Sequence, residues 1–166
     1  MRGDGGGFFT MIKVNVVCVG KVKEKYFSEG IAEYSKRLSR FCDFKIIEVE
    51  EENFKKAEEG EIAIIKEREG ERMIPYLKGH VFVAAIEGKK LSSKAFSDKL
   101  KKAADERGTV TFVVGGSYGI SKEVKRRAAE LISFSDMTFP HTLFRLMLTE
   151  QIYRAFSISA GTAYHK

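Results

Sequence analysis

The stretch TVTFVVGGSYG, residues 109–119, decides the fold of this chain. Its first six residues are rich in β-branched and aromatic side chains, which is typical of a β-strand, and a glycine-rich turn follows at once. In open α/β sheets, ligands bind outside the carboxyl ends of the strands. The turn is therefore a candidate wall of a ligand pocket.

Strands and helices alternate on both sides of this stretch. The patterns predict strands at residues 12–19, 44–49, 81–86, 109–114 and 131–134. They predict helices at residues 25–38, 61–77, 92–107, from 121 onward and at 140–160. This alternation indicates an α/β fold with a mostly parallel sheet and helices on both faces. Residues 86–88, 115–116 and 135–140 then become the candidate pocket walls.

The closing helix is unusual because apolar residues surround it. They are Leu143, Phe144, Leu146, Met147, Leu148, Ile152, Tyr153, Phe156 and Ile158. Such a helix must be buried on all sides, and a small domain rarely achieves this alone, so we expect a partner subunit. The helix also carries two pairs at i,i+4 spacing, His141 with Arg145 and Glu150 with Arg154. Both pairs could simply stabilise the helix. Alternatively, one pair points into the pocket and the other into the subunit interface.

The composition indicates a globular protein whose positive charge favours binding to polyanions. The 166 residues are 43% apolar and carry a net charge of +6, a balance that favours nucleic acid. Cys18 lies in an apolar strand, as in a reducing compartment. We expect a soluble cytoplasmic protein, because we find neither a membrane span nor a cleavable signal. Residues 1–10 read as a flexible, non-native leader, with Met11 as the native start of a single domain spanning residues 11–166.

The glycine-rich turn also matches G-x-S-x-G, the nucleophile elbow of serine hydrolases. Ser117, Asp136 and His141 follow in the hydrolase order. The short chain, a helix cap at Ser121, and the five residues between Asp136 and His141 count against this interpretation, which stays an alternative. Neither a dinucleotide fingerprint nor a P-loop is present. The histidines, at positions 80, 141 and 165, lack metal-ligand spacing, so we expect no metal.

The chain ends on Tyr164, His165 and Lys166. Chain ends are often disordered, but this one combines an aromatic ring for stacking on a base, an imidazole that titrates near neutrality, and an ammonium group for phosphate. The tail is therefore a candidate reactive segment.

Several motifs in one order resemble a known family. They are VCVGK at 17–21, FVVGGSYG at 112–119, FSDMTFPH at 134–141, Arg145, EQIYRAF at 150–156 and YHK at 164–166. Together they resemble the ribosomal RNA large subunit methyltransferase H family of the SPOUT class, over nearly the whole chain from Met11.

The resemblance implies a C-terminal trefoil knot, a rare exception to normal topology, and a homodimer. It implies S-adenosyl-L-methionine as methyl donor and N3 of pseudouridine 1915 in 23S rRNA as the acceptor, on the assembled ribosome. In the family, backbone groups of the knotted loops bind the donor. Carried over, the donor-binding residues are Ala84, Gly115, Gly116, Ser135, Asp136, Met137, Thr138, Phe139 and Pro140.

The resemblance and the residue chemistry together indicate catalytic roles. His165 is the expected base for the N3 proton, and Tyr164 the residue that positions the target base. Arg154 and Glu150 are the other two expected catalytic residues. His141, Arg145 and Lys166 are the expected substrate-binding residues, the two cations for phosphates or uracil oxygens. We expect the partner subunit to complete the site. A non-catalytic RNA-binding dimer remains a further alternative.

Overall fold

The computed structural model describes residues 11–53, 58–162 and 164. The strands are β1 (Lys13–Val19), β2 (Asp43–Val49), β3 (His80–Lys90), β4 (Thr109–Val113) and β5 (Glu130–Ser133). The helices are α1 (Lys25–Leu38), α2 (Glu59–Met73), α3 (Ser93–Arg107), α4 (Lys122–Arg127) and α5 (His141–Ser159). The predicted leader, residues 1–10, lies outside the described residues, and the domain bounds stay a prediction.

The five strands form one parallel sheet in the order β2-β1-β4-β3-β5. This confirms the predicted α/β fold class, with β3 inside the sheet and β2 at a half-exposed edge. The trefoil knot concerns how the chain threads through itself, and it stays a prediction.

Helices cover both faces of the sheet, as predicted. Alternate residues of β1 face opposite sides, with Val14, Val16 and Cys18 in one core and Val17 and Val19 in the other. The first core also holds buried residues of α1, α3 and α5. The second holds residues of α2 and α4. Because the central strands are buried on both faces, their sequences read as nearly continuous apolar runs.

Local signals set the helix ends that lead into the site. The hydroxyl of Ser92 caps α3 by accepting a hydrogen bond from the Ala95 amide at 3.0 Å, and Gly108 ends it with a φ of 72°. Ser121 caps α4 by accepting from the Val124 amide at 3.2 Å. The sequence predicted the cap at Ser121 and a helix starting at residue 92.

Helix α2 is shorter than predicted. It ends at Met73, and Pro75 lies in a 3₁₀ turn (Ile74–Tyr76), because proline cannot continue the α-helical hydrogen bonds. Gly70 lies inside the helix, where an added Cβ would be 2.4 Å from Oγ of Ser121. Glycine at this position lets the start of α4 approach α2.

Strand β3 is longer than predicted and contains a bulge. Its pairing with β5 shifts register between Ala84 and Lys89. At Gly88, an added Cβ would lie 2.6 Å from backbone atoms of Ile132, so the two backbones touch there. The bulge directs Ile86 and Glu87 away from the ladder.

Helix α5 is buried on one side only within this chain. Its buried residues include Arg145, Leu148, Ile152 and Tyr153, and a stripe of partly exposed apolar residues remains at Leu143, Met147 and Ile158. The predicted burial on all sides is therefore not reached in one copy. None of the described helices is long and apolar enough to cross a membrane.

Candidate active site

A cavity of about 260 Å³ lies beside the second half of β3 and the carboxyl ends of β4 and β5, and it opens to solvent. Its walls come from three segments, which are residues 84–87 at the bulge within β3, the glycine-rich turn after β4 and the loop after β5. Residues at the start of α4 and α5 complete it. The cavity therefore involves all three of the predicted pocket walls.

The turn after β4 needs its glycines. A Cβ added to Gly115 would lie 2.7 Å from Cγ1 of Ile120 and 2.9 Å from the carbonyl carbon of Gly119. One added to Gly116 would lie 3.1 Å from Oε1 of the buried Glu69. Gly116 and Gly119 also pair in an antiparallel bridge. The turn folds back on itself so closely that its main chain, and not side chains, forms the cavity wall.

The loop after β5 is held by its own serines. Oγ of Ser133 donates to the Ser135 carbonyl at 2.9 Å, and Oγ of Ser135 accepts from the Met137 amide at 3.0 Å. Of the predicted donor-binding residues, the ones that line the cavity are Ala84, Gly115, Gly116, Ser135, Met137, Thr138 and Phe139. Asp136 instead faces solvent and pairs with Lys90, and Pro140 is the exposed cap of α5.

His141 begins α5 and lines the cavity. Burial lowers the pKa of its imidazole, and the positive charge of Arg145 lowers that pKa further. Its Nδ1 is buried and finds no hydrogen-bond partner among the described residues. At neutral pH, His141 is thus an uncharged imidazole ring at the cavity wall, and its Nδ1 is available to hydrogen-bond a ligand.

Arg145 faces inward, and its predicted contact with RNA phosphate is not supported. Only 1% of the surface of Arg145 is accessible to solvent. Nη1 donates to Oε2 of Glu48 at 2.6 Å, and Nη2 donates to the carbonyls of Val19 and Gly20, both at 3.1 Å. The guanidinium therefore fastens α5 to the ends of β1 and β2, and a phosphate cannot reach it.

The remaining predicted residues lie at the other end of α5. Nε of Arg154 donates to Oε1 of Glu150 at 2.7 Å, and the guanidinium carbon lies 5.0 Å from the centre of the Tyr164 ring. Tyr164 packs edge-on against Tyr153 and its hydroxyl lies 3.3 Å from that of Tyr34. Burial and the Tyr34 contact raise the pKa of Tyr164 to about 12. None of these residues lines the cavity.

His165 and Lys166, predicted for proton transfer and phosphate binding, lie outside the described residues. The serine hydrolase alternative gains no support from the described ones. Ser117 and Asp136 are exposed, Asp136 pairs with Lys90, and Nδ1 of His141 has no acceptor. No group of three potential metal ligands occurs in the part of the chain that the structure describes.

Residues 86–88 were a predicted pocket wall, but the ion pair of Glu87 with Lys125 and the contact made by Tyr34 were not predicted. Glu87 and Lys125 line the cavity and form an ion pair, and Tyr34 contacts the tail. Glu87 owes its position to the β3 bulge, which has no clear sequence signal apart from Gly88. Tyr34 lies 130 residues from Tyr164 in the chain, a separation that no local pattern reveals.

Comparisons with known proteins agree with this geometry. The family model described as "Predicted SPOUT methyltransferase" matches residues 12–165. Curated relatives bear the name ribosomal RNA large subunit methyltransferase H. The protein from Latilactobacillus sakei is 48% identical, and that from Streptococcus uberis is 46% identical. Each alignment covers 93% of this chain and 100% of the relative.

Among solved structures, a probable methylase family protein from Haemophilus influenzae Rd KW20 superposes with a TM-score of 0.50. The match covers 92% of this chain and 69% of that one, at 8% sequence identity. This likeness concerns the fold alone.

Proposed function

This chain belongs to the SPOUT methyltransferase family, and within it to the ribosomal RNA large subunit methyltransferase H group, and from this we propose that it methylates N3 of pseudouridine 1915 in 23S rRNA. The observation that carries the proposal is the cavity beside β3 and the carboxyl ends of β4 and β5. Seven of the nine residues expected to bind the methyl donor line it.

The cavity suits S-adenosyl-L-methionine. Ala84, Ile132, Phe134 and Phe144 provide apolar surface for a flat adenine ring, while the glycine turn leaves main-chain groups open to it. Its volume is slightly below the roughly 300 Å³ at which small-molecule sites begin, and it opens to solvent on one side. When bound, the donor would supply an electrophilic methyl group on its sulfonium. The protein's part is then mainly to align the acceptor nitrogen with that methyl.

The acceptor N3 carries a proton that must leave before or during transfer. His165 is our choice of base because an imidazole titrates near neutrality. Tyr164 would position the target base as a neutral phenol, since its pKa lies near 12. Arg154, ionised and fixed by Glu150, would stabilise negative charge on the uracil oxygens. Lys166 would bind phosphate.

The position of Tyr164 supports a site shared between two subunits. Tyr153, which Tyr164 contacts, lies twelve residues after His141 on α5, about 18 Å along the helix axis. Tyr164 of one copy is therefore far from that copy's own cavity. The partly exposed apolar stripe on α5 would pack against a second copy, and a homodimer that brings each tail to the partner's cavity would satisfy both observations.

The net charge of +6 suits a ribosomal substrate. A domain of this size has little surface for reading a long RNA sequence, so we favour recognition of the assembled ribosome's shape. Such a substrate would place the protein in the cytoplasm.

Deletion of residues 164–166 tests this assignment. We expect methyl transfer to ribosomes to be lost while S-adenosylhomocysteine, the donor's demethylated product, still binds with wild-type affinity. Deletion of residues 1–10 is the matched control and should leave both intact. Normal transfer by the tail-deleted protein would contradict the catalytic role of the tail. RNA binding without any affinity for the donor or its product would instead favour a non-catalytic RNA-binding dimer.

A further inference from the structure

An ion pair forms part of the cavity wall. Nζ of Lys125, on α4, donates to Oε1 of Glu87, in the β3 bulge, at 2.5 Å. Both residues line the cavity. Among the described lining residues, Glu87 is the one carboxylate and Lys125 the one ammonium group.

Both side chains reach the cavity because glycines allow two close approaches of the backbone. Gly88 lets the β3 bulge lie against β5, and Gly70 lets the capped start of α4 approach α2. These contacts fix the two segments independently of the ion pair. The pair is therefore not required to hold its own segments in place.

The pair is also exposed enough to exchange partners. The side chain of Glu87 is 55% exposed and that of Lys125 is 30% exposed. Ion pairs at such positions contribute little to folding, since water screens them and ordering two long side chains costs entropy. The hydrogen bond from Lys125 lowers the pKa of Glu87, so the carboxylate is ionised at neutral pH. Both charges are thus available to a ligand.

The methyl donor has a complementary end. Its amino-acid part carries an ammonium and a carboxylate on one carbon atom, and both charges need partners when they leave water. The remaining described lining residues are apolar side chains, glycines, hydroxyls and the neutral His141. They cannot supply these partners with full opposite charge.

We propose that Glu87 binds the α-ammonium and Lys125 the α-carboxylate of the donor's amino-acid end, so that one internal ion pair is exchanged for two with the ligand. This inference rests on the proposed function. It assigns a recognition role to two residues that the family motifs in this sequence do not include.

Calorimetric titration with two ligands tests the assignment. S-adenosylhomocysteine carries the amino-acid end, and 5′-methylthioadenosine has the same nucleoside without it. We expect Glu87→Gln and Lys125→Met each to weaken binding of S-adenosylhomocysteine about tenfold, the loss typical of a charge-assisted hydrogen bond. Binding of 5′-methylthioadenosine should not change in either variant.

A matched control comes from Lys94 and Asp98 on α3, an exposed ion pair at 2.6 Å that does not line the cavity. Asp98→Asn and Lys94→Met should change neither affinity. Thermal unfolding of all four variants shows whether the fold is intact.

Two results would overturn the inference alone. Unchanged affinity for S-adenosylhomocysteine in both cavity variants would show that the pair does not bind the amino-acid end. Equal losses for both ligands would show that the substitutions distort the cavity as a whole. If the wild-type protein binds neither ligand, the proposed function itself fails, which is a distinct outcome.

Discussion

At the scale of single residues, Tyr34 is the contact that ties the end of the chain to α1. Its hydroxyl oxygen lies 3.3 Å from that of Tyr164, which also packs on Tyr153 and Arg154. His165 is the next residue in the sequence. Whatever fixes Tyr164 therefore also limits where the expected base can go.

We expect Tyr34→Phe to reduce methyl transfer about fivefold, because a hydrogen bond of about 1 kcal/mol is lost. Affinity for S-adenosylhomocysteine should not change, since Tyr34 does not line the cavity. Tyr26→Phe on the same helix is the control, as that ring is 69% exposed. Single-turnover kinetics with ribosomes would measure the effect. A Tyr34→Phe rate equal to that of the control would show that the Tyr34 hydroxyl has no part in methyl transfer.

His141 gives a pH prediction at the same scale. Its folded pKa is below the ordinary value of 6.5 because of burial and Arg145. The unfolded chain therefore binds the proton more tightly, and this residue's contribution to stability falls as the pH drops through and below 6.5.

Urea unfolding at several pH values checks this sign. Between about pH 7.5 and pH 5.5, the wild-type protein should lose more free energy of unfolding than His141→Gln. Equal losses would mean that His141 titrates normally in the folded protein.

At the scale of elements, the turn after β4 depends on the absence of a Cβ. Gly115→Ala places a methyl group within 3 Å of Ile120 and of the Gly119 backbone. We expect about 1–3 kcal/mol of lost stability from the enforced shift, together with weaker binding of S-adenosylhomocysteine. Gly60→Ala, where an added Cβ meets nothing within 4 Å, is the control and should be neutral or slightly stabilising. Thermal unfolding would compare the stability of the two variants, and calorimetry their affinity for S-adenosylhomocysteine. Equal values for Gly115→Ala and Gly60→Ala would refute the steric argument.

The apolar stripe of α5 gives the second prediction at this scale. Met147→Arg should weaken the proposed homodimer, because a charge would replace a partly exposed apolar side chain at the expected interface. Ile64→Arg changes an apolar residue on α2 that is 42% exposed and should leave association unchanged. Sedimentation at a range of concentrations measures both. An unaltered dimer in Met147→Arg would place the interface elsewhere.

The elements also show what the sequence could and could not predict. Caps at Ser92 and Ser121 and the stop at Gly108 are local signals, so α3 and α4 begin and α3 ends where predicted. Arg145 was misjudged because its partners Glu48, Val19 and Gly20 are 97 to 126 residues away. The β3 bulge escaped prediction for a similar reason, since it depends on contact between two backbones.

At the scale of the whole molecule, the cavity and Tyr164 lie at opposite ends of α5. This separation predicts complementation between two defective chains. Ser135→Trp, which fills the cavity, and the protein lacking residues 164–166 should each be inactive alone. Mixed and refolded together, half of the dimers are hybrids with one intact site, so about a quarter of the wild-type rate should return. No recovery, despite hybrid formation shown by mass spectrometry, would mean that each subunit uses its own tail.

The most direct measurement is methyl transfer from labelled S-adenosyl-L-methionine to ribosomes that lack their own modification, beside free large subunits and naked rRNA. We expect incorporation at N3 of one pseudouridine of 23S rRNA, with the assembled ribosome as the preferred substrate. Donor binding without incorporation into any of the three would contradict the proposed substrate while leaving the fold and the cavity assignment in place.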